Sequence, residues 1–197
     1  MGVRYMGQPI PSITFQNHPV FKIAFIAPFL YRYQRGIERS CTHLANALAE
    51  LNQDVTIITW NQHDHQTPSP IDPRIPILRV PNLRYYQSKW AALFYSGILL
   101  RNHFDVIVIF FAGYGEAQAL HFGHSRRQFQ ICFIAGYPIE QVPHRFKEFK
   151  SLHIDQILDH IVVKSPSMAP AIGNFFNRMP AVIPNGIDTN LFRKRIK

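Results

Sequence analysis

Lys164 to Phe192 reads KSPSMAPAIGNFFNRMPAVIPNGIDTNLF. A helix signal is joined here to a short apolar strand that ends in Pro184-Asn185-Gly186-Ile187-Asp188. Ser165-Pro166-Ser167 reads as the helix start, because proline is tolerated in a first turn where its missing N–H costs nothing. The same grammar opens the chain's first ordered stretch. Lys22 to Pro28 (KIAFIAP) runs through an Arg35-Gly36-Ile37-Glu38 turn into the helical run ERSCTHLANALAELNQ and a second strand, DVTIIT. The two ends bracket one domain.

Between them, apolar runs of strand composition fall at 22–28, 54–59, 75–81, 105–111, 130–136, 160–165 and 180–184, with helical patterns between most of them. Such alternation predicts an α/β fold: a single Rossmann-like, doubly wound, mainly parallel sheet with helices on both faces. In the first helix Ile37, Cys41, Leu44, Leu48 and Leu51 follow three- and four-residue steps and form one apolar stripe. Residues 1–20 carry prolines and no periodic pattern and read as an irregular leader, 21–192 as the domain, and 193–197 as a basic tail or the start of a linker. Asn61 to Pro73 is polar and proline-rich, which suits a surface loop.

A chain of 197 residues, 47% of them hydrophobic, is long enough for one well-buried core and too short for two full α/β domains. Its formal charge of +9 favours anionic partners without choosing among them. Arg126-Arg127 and Arg193-Lys194-Arg195 form local clusters, and Arg145, Lys147 and Lys150 fall near helical spacing. Cys41 and Cys132 sit in apolar contexts as small hydrophobes, which fits a reducing compartment. No apolar leader segment is seen in the first twenty residues, so a cytoplasmic location is expected. Trp90 to Leu100 is apolar but shorter than the about twenty residues that span a bilayer. Lys89 to Arg101 arranges Trp90, Leu93, Phe94, Ile98 and Leu100 around a helix flanked by basic residues. Apolar over much of its circumference, it reads first as a core helix over the sheet, and second as an interfacial helix on anionic lipid at the inner membrane surface.

Doubly wound sheets bind ligands beyond the carboxyl ends of their strands. That singles out the loops Phe29–Glu38, Ala112–Glu116, Gly136–Arg145, Ser165–Ser167 and Asn185–Asp188. Gly36 allows close backbone approach of a phosphate to a helix N-terminus. Gly113-Tyr114-Gly115 begins like a dinucleotide fingerprint, but Gln118 stands where a small residue is needed, so the segment reads as a cleft-lining turn. Beyond the fifth strand, Tyr137 occupies the loop, and Glu140 and His144 are placed for acceptor hydrogen bonding or proton transfer. His63-Asp64-His65 lacks a third ligand and His121/His124 lacks a partner acid or cysteine, so no metal is expected.

In these motifs and their order, over about residues 22 to 192, the sequence resembles the N-terminal, acceptor-side domain of family 4 glycosyltransferases. Where that family usually has a Gly-Gly pair followed by a residue and a Glu or similar polar residue, this chain has Arg35-Gly36-Ile37-Glu38, with Arg35 in place of the first glycine. The resemblance implies half of a GT-B fold: two facing Rossmann-like domains, the acceptor held mostly by this half and the nucleotide-sugar mostly by the other. It implies retaining sugar transfer to a glycan or lipid-linked acceptor without an essential metal or cofactor. Arg35, Gly36, Glu38, Gly113, Gly115, Tyr137, Asn185 and Gly186 become expected donor-phosphate or substrate contacts. A C-terminal domain or a partner chain would supply the other wall, and the isolated chain is expected to be inactive. Nucleic acid is not an expected partner. Two other classes remain open: an accessory subunit or truncated product that binds acceptor or a partner chain, and a nucleotide-dependent Rossmann oxidoreductase, disfavoured by Gln118.

Overall fold

The computed structural model describes residues 19–30, 36–61, 70–81, 89–110, 113–134 and 139–184. Most of the 1–20 leader, the His63–His65 pair, and the 193–197 tail with its Arg193-Lys194-Arg195 cluster lie outside them.

Seven strands appear where the apolar runs place them: β1 (Lys22–Ile26), β2 (Asp54–Trp60), β3 (Ile77–Val80), β4 (Val106–Ile109), β5 (Phe129–Ile134), β6 (His160–Val163) and β7 (Ala181–Val182). They form one all-parallel sheet in the order β3-β2-β1-β4-β5-β6-β7. From β1 the chain works outward to β3, then returns to the other side of β1 as β4. The order therefore reverses between β1 and β4, where Ile26 stands beside Ile109. In such folds that gap is the ligand crevice.

Alternate strand residues feed two cores. Phe25, Ile57 and Phe110 face α1 (Gly36–Glu50), whereas Ile26, Ile58 and Ile109 face α2 (Lys89–Asn102) and α3 (Tyr114–Ser125). The second core continues under four shorter helices, α4 (Val142–Arg145), α5 (Lys147–Ser151), α6 (Ile154–Ile157) and α7 (Ala169–Phe176), where Phe146 packs edge-on against Phe149 and Phe176. Burial on both sides explains why the strands read as continuous apolar runs rather than as alternating ones.

Two helices differ from the sequence pattern. In α1 the buried positions are Glu38, Cys41, Thr42, Ala45 and Ala49, while Leu44 and Leu48 flank them and Leu51 lies exposed past the helix end. Small residues at the centre let the helix lie close on the sheet. In α2 Ala91, Tyr95 and Leu99 are buried, but Trp90 is 65% and Leu93 63% exposed, and Phe94 and Leu100 are exposed too. The helix packs on α3 and reaches β3 through its buried side, as a core helix over the sheet does, while its outer side stays exposed. Among the described residues no helix is long and apolar enough to cross a membrane.

Ser165 caps the turn Pro166–Met168 by accepting the Ser167 N–H at 3.3 Å, with Pro166 at the first position. Cys41 and Cys132 are free and buried, and burial pushes both thiols well above their ordinary range.

Candidate functional site

The crevice at the carboxyl ends of β1 and β4 is bounded by the start of α1, the start of α3 and the residue that follows β6. Gly36 opens α1, and the space where its side chain would stand is empty to beyond 4 Å. Glu38, in the same first turn, is buried. An acid there is favourable because the helix dipole and free N–H groups place positive charge at that end.

Lys164 comes from the far side. Two strands, β4 and β5, separate β1 from β6 in the sheet, yet the Lys164 ammonium donates to the Gly36 carbonyl (3.0 Å) and to the Ser40 hydroxyl. Its path crosses the Phe133 ring at 5.8 Å. Burial lowers the Lys164 pKa, while the nearby Glu38 charge acts in the opposite direction. A cation held by a carbonyl and a hydroxyl at the mouth of the crevice keeps charge available to an anionic group. Sequence reading passed over Lys164, whose partners lie 128 and 124 residues away.

Across the crevice, Gly113 is the N-cap of α3, and Glu116 stands at the third helical position, where the Gly113 N–H favours its charged form. That is the position the acid takes in a capping box. Gly115 is turned the other way: a Cβ there would meet Ala91 Cβ at 3.0 Å and Tyr95 Cε2 at 3.4 Å. Its small size lets α2 and α3 approach. Glu140 and His144 are exposed, on the 3-10 turn Ile139–Gln141 and on α4. Arg35, Tyr137, Asn185 and Gly186 lie outside the described residues.

Among the described residues there is no group of three or more histidines, cysteines or carboxylates positioned for a metal. His121 is half-buried, its Nε2 2.6 Å from the Leu152 carbonyl oxygen, while His124 is exposed.

Comparison with known proteins agrees with this fold. No curated protein matches the sequence. Solved structures that share the fold include a glycosyltransferase from Rickettsia africae ESF-5 (TM-score 0.60, 13% identity), covering 89% of this chain and 46% of that one. Anabaena Alr3699/HepE, solved with UDP and glucose, follows at TM-score 0.58 and 15% identity, over 87% of this chain and 46% of that one. UDP-GlcNAc 2-epimerase from Methanocaldococcus jannaschii aligns at TM-score 0.56 and 14% identity, over 81% of this chain and 45% of that one. The chain spans under half the length of each, and at such identities the likeness is one of fold. Residues 34–191 match the sequence model of Glycosyltransferase Family 4, so the chain belongs to that family.

Proposed function

We propose that this chain is the acceptor-side half of a retaining GT-B glycosyltransferase, moving a sugar from a nucleotide-sugar donor to a glycan or lipid-linked acceptor. The observation that carries the reading is the family match over residues 34–191 in a domain whose switch-point crevice keeps an open helix start, Gly36, beside a cation, Lys164. The HepE structure holds UDP and glucose, which supports a nucleotide-sugar as the donor class. A UDP-GlcNAc 2-epimerase shares the fold, so fold alone does not choose transfer; the family match favours it. Arg35, Gly36, Glu38, Gly113, Asn185 and Gly186 would face the donor phosphates or substrate, with Tyr137, Glu140 and His144 toward the acceptor. A second domain or a partner chain would close the crevice. One wall alone cannot bring donor and acceptor into reacting geometry, and proximity supplies much of the acceleration in group transfer.

The test joins this chain to the donor-binding half of a family 4 enzyme and offers UDP-, GDP- and ADP-sugars with glycan and lipid-linked acceptors. Transfer by the fusion and none by residues 1–197 alone is the expected result. Turnover by the isolated chain would overturn the half-enzyme reading.

A specific observation adds a location to this function. The uncovered side of α2 presents Trp90, Leu93, Phe94 and Leu100, next to a groove lined by Leu78, Gly97, Ile98 and Arg101. From Ile75 to Phe104 the sequence has no carboxylate, while Arg79, Arg84, Lys89 and Arg101 are all basic. Exposed apolar side chains in a basic, carboxylate-free stretch of sequence fit the boundary of an anionic bilayer, and we place the enzyme there, peripheral to the cytoplasmic leaflet. Sedimentation with anionic and neutral vesicles at low and high salt tests it. Salt-sensitive binding to anionic vesicles, lost in Trp90→Ser/Leu93→Ser, is expected; equal or absent binding in every condition removes the membrane from the reading.

A further inference from the structure

The function just proposed makes no use of Glu116, although it is the most deeply buried acid beside the crevice among the described residues, at 1% exposure. Its Oε1 accepts the Tyr95 hydroxyl at 3.0 Å, and that hydroxyl in turn accepts the Trp60 indole N–H at 2.8 Å. The backbone N–H groups of Glu116 and Gly113 lie on its side of the turn and favour its charged form. A continuous hydrogen-bonded chain therefore runs from the last residue of β2, through the middle of α2, to the turn that enters α3. Oε2 has no partner at all.

Among the described residues the surroundings are apolar and carry no compensating cation. Tyr95 is the titratable group that faces Glu116 from α2, Trp60 the polar group from β2, and β4 contributes only valine and isoleucine. Lys89 and Arg101 stand at opposite ends of α2, and His121 further along α3 is engaged with the Leu152 carbonyl. A neutral carboxyl suits this site. A carboxylate there leaves charge on an oxygen with no donor, and the cheapest relief is movement of the groups that hold its other side.

We infer that Glu116 is a positioning residue of the crevice: its carboxyl sets the turn at Gly113, and its loss of a proton resets that turn together with the Tyr95 and Trp60 side chains. The inference rests on the reading of this crevice as the substrate side. Burial pushes the Glu116 pKa up to about 7 against the opposing pull of its N–H and O–H donors, which puts the change near neutral pH. The same burial and the Glu116 charge raise the Tyr95 pKa, so the phenol stays protonated as donor throughout.

The chain has two tryptophans, so Trp90→Phe leaves Trp60 as the sole emitter. In that background, Trp60 fluorescence recorded from about pH 5 to about pH 9 is expected to change with a midpoint near 7, and the Gly113 amide nitrogen shift to follow the same midpoint. Glu116→Gln should abolish both transitions. Tyr95→Phe, which keeps the carboxyl but cuts its link to the indole, should remove the fluorescence transition and leave the Gly113 one; it serves also if Glu116→Gln does not fold. A transition that survives Glu116→Gln belongs to histidine and overturns the inference, as does a flat profile in the folded parent. No sugar enters these measurements, so their failure leaves the glycosyltransferase reading standing, and a chain that transfers nothing can still pass them.

Discussion

At the amino ends of the strands, the Lys22 N–H donates to Asp105 Oδ2 (2.8 Å) and the Gln130 N–H to Asp159 Oδ2 (2.7 Å), while the Gln128 side-chain amide reaches the Phe104 carbonyl (2.7 Å). At the carboxyl ends Lys164 is met by a carbonyl and a hydroxyl, Glu116 keeps an oxygen without a partner, and Gly36 faces empty space. One end of the sheet is closed by carboxylates tied to strand N–H groups. The other holds a half-buried lysine whose hydrogen-bond acceptors are neutral and a buried acid with one oxygen left unpaired, and a fold keeps such groups only where something else stabilises them or uses them. The contrast separates residues whose loss should cost stability from those whose loss should cost binding.

The largest expected effect breaks that division deliberately, because Glu116 belongs to the functional end yet should govern stability. Its folded pKa of about 7 lies above an unfolded value of about 4.3. Between those values the folded state binds more protons, so the contribution is fully present below about 4.3 and is lost as pH rises to about 7, by about 4 kcal/mol in all. Asp72, whose pKa the Arg74 guanidinium lowers, acts in the opposite direction at low pH. The useful quantity is therefore the difference between wild type and Glu116→Gln in urea unfolding at about pH 5 and about pH 8. A difference that is the same at both pH values means that Glu116 does not titrate in this window.

Gly123 tests the amino end. A Cβ there would lie 2.5 Å from Ile107 Cδ1 and 2.9 Å from Gln130 Nε2. Gly123 also ends α3, its carbonyl accepting N–H groups from Arg126 and Gln128. Gly123→Ala should destabilise by about 2 kcal/mol through overpacking, in spite of alanine's better helix propensity, and leave Trp60 fluorescence unchanged. Thermal unfolding checks it; an unchanged midpoint would mean that the neighbours yield without cost.

What the sequence made legible divides along similar lines. The seven strands were readable because a sheet covered on both faces produces continuous apolar runs such as KIAFI and VIVI. The Ser165 cap was readable because capping is a contact between near neighbours. Lys164 with Gly36, and Trp60 with Tyr95 and Glu116, were not, since each joins residues far apart in the chain and no local spacing encodes them. The outer side of α2 was hidden for another reason. A helix apolar all round does not announce which side the rest of the fold will leave bare. Gly115 carried a misleading local signal: its place in a glycine-rich turn pointed to a ligand, and the structure fills that space with Ala91 and Tyr95.

A smaller effect is expected at the Ser165 cap. Ser165→Ala removes the acceptor for the Ser167 N–H and should cost about 1 kcal/mol, read as a lowered unfolding midpoint. The residue lies next to Lys164, so the variant also asks whether a loosened cap disturbs that lysine's bridge to α1. Binding of a nucleotide-sugar by the two-domain fusion should persist if the bridge holds independently.

Gly36 carries the smallest expected change in stability and the sharpest separation of the two properties. Among the described residues no neighbour stands within 4 Å of the position a Cβ would take, so Gly36→Val meets open space at its first side-chain atom. Glycine in a helix gives away about 1 kcal/mol relative to alanine, and valine recovers part of that, so the unfolding midpoint should hold or rise slightly. The same open space is what a phosphate would need in order to reach the free N–H groups of α1, with the Lys164 ammonium alongside. Valine would fill that space with two methyl groups and hold the anion away from its donors. Donor affinity in the fusion should therefore fall at least tenfold, about 1.4 kcal/mol, with no loss of fold. A variant that melts early yet binds as well as the parent would make Gly36 a turn residue, and the carboxyl end of the sheet would lose its claim to the donor.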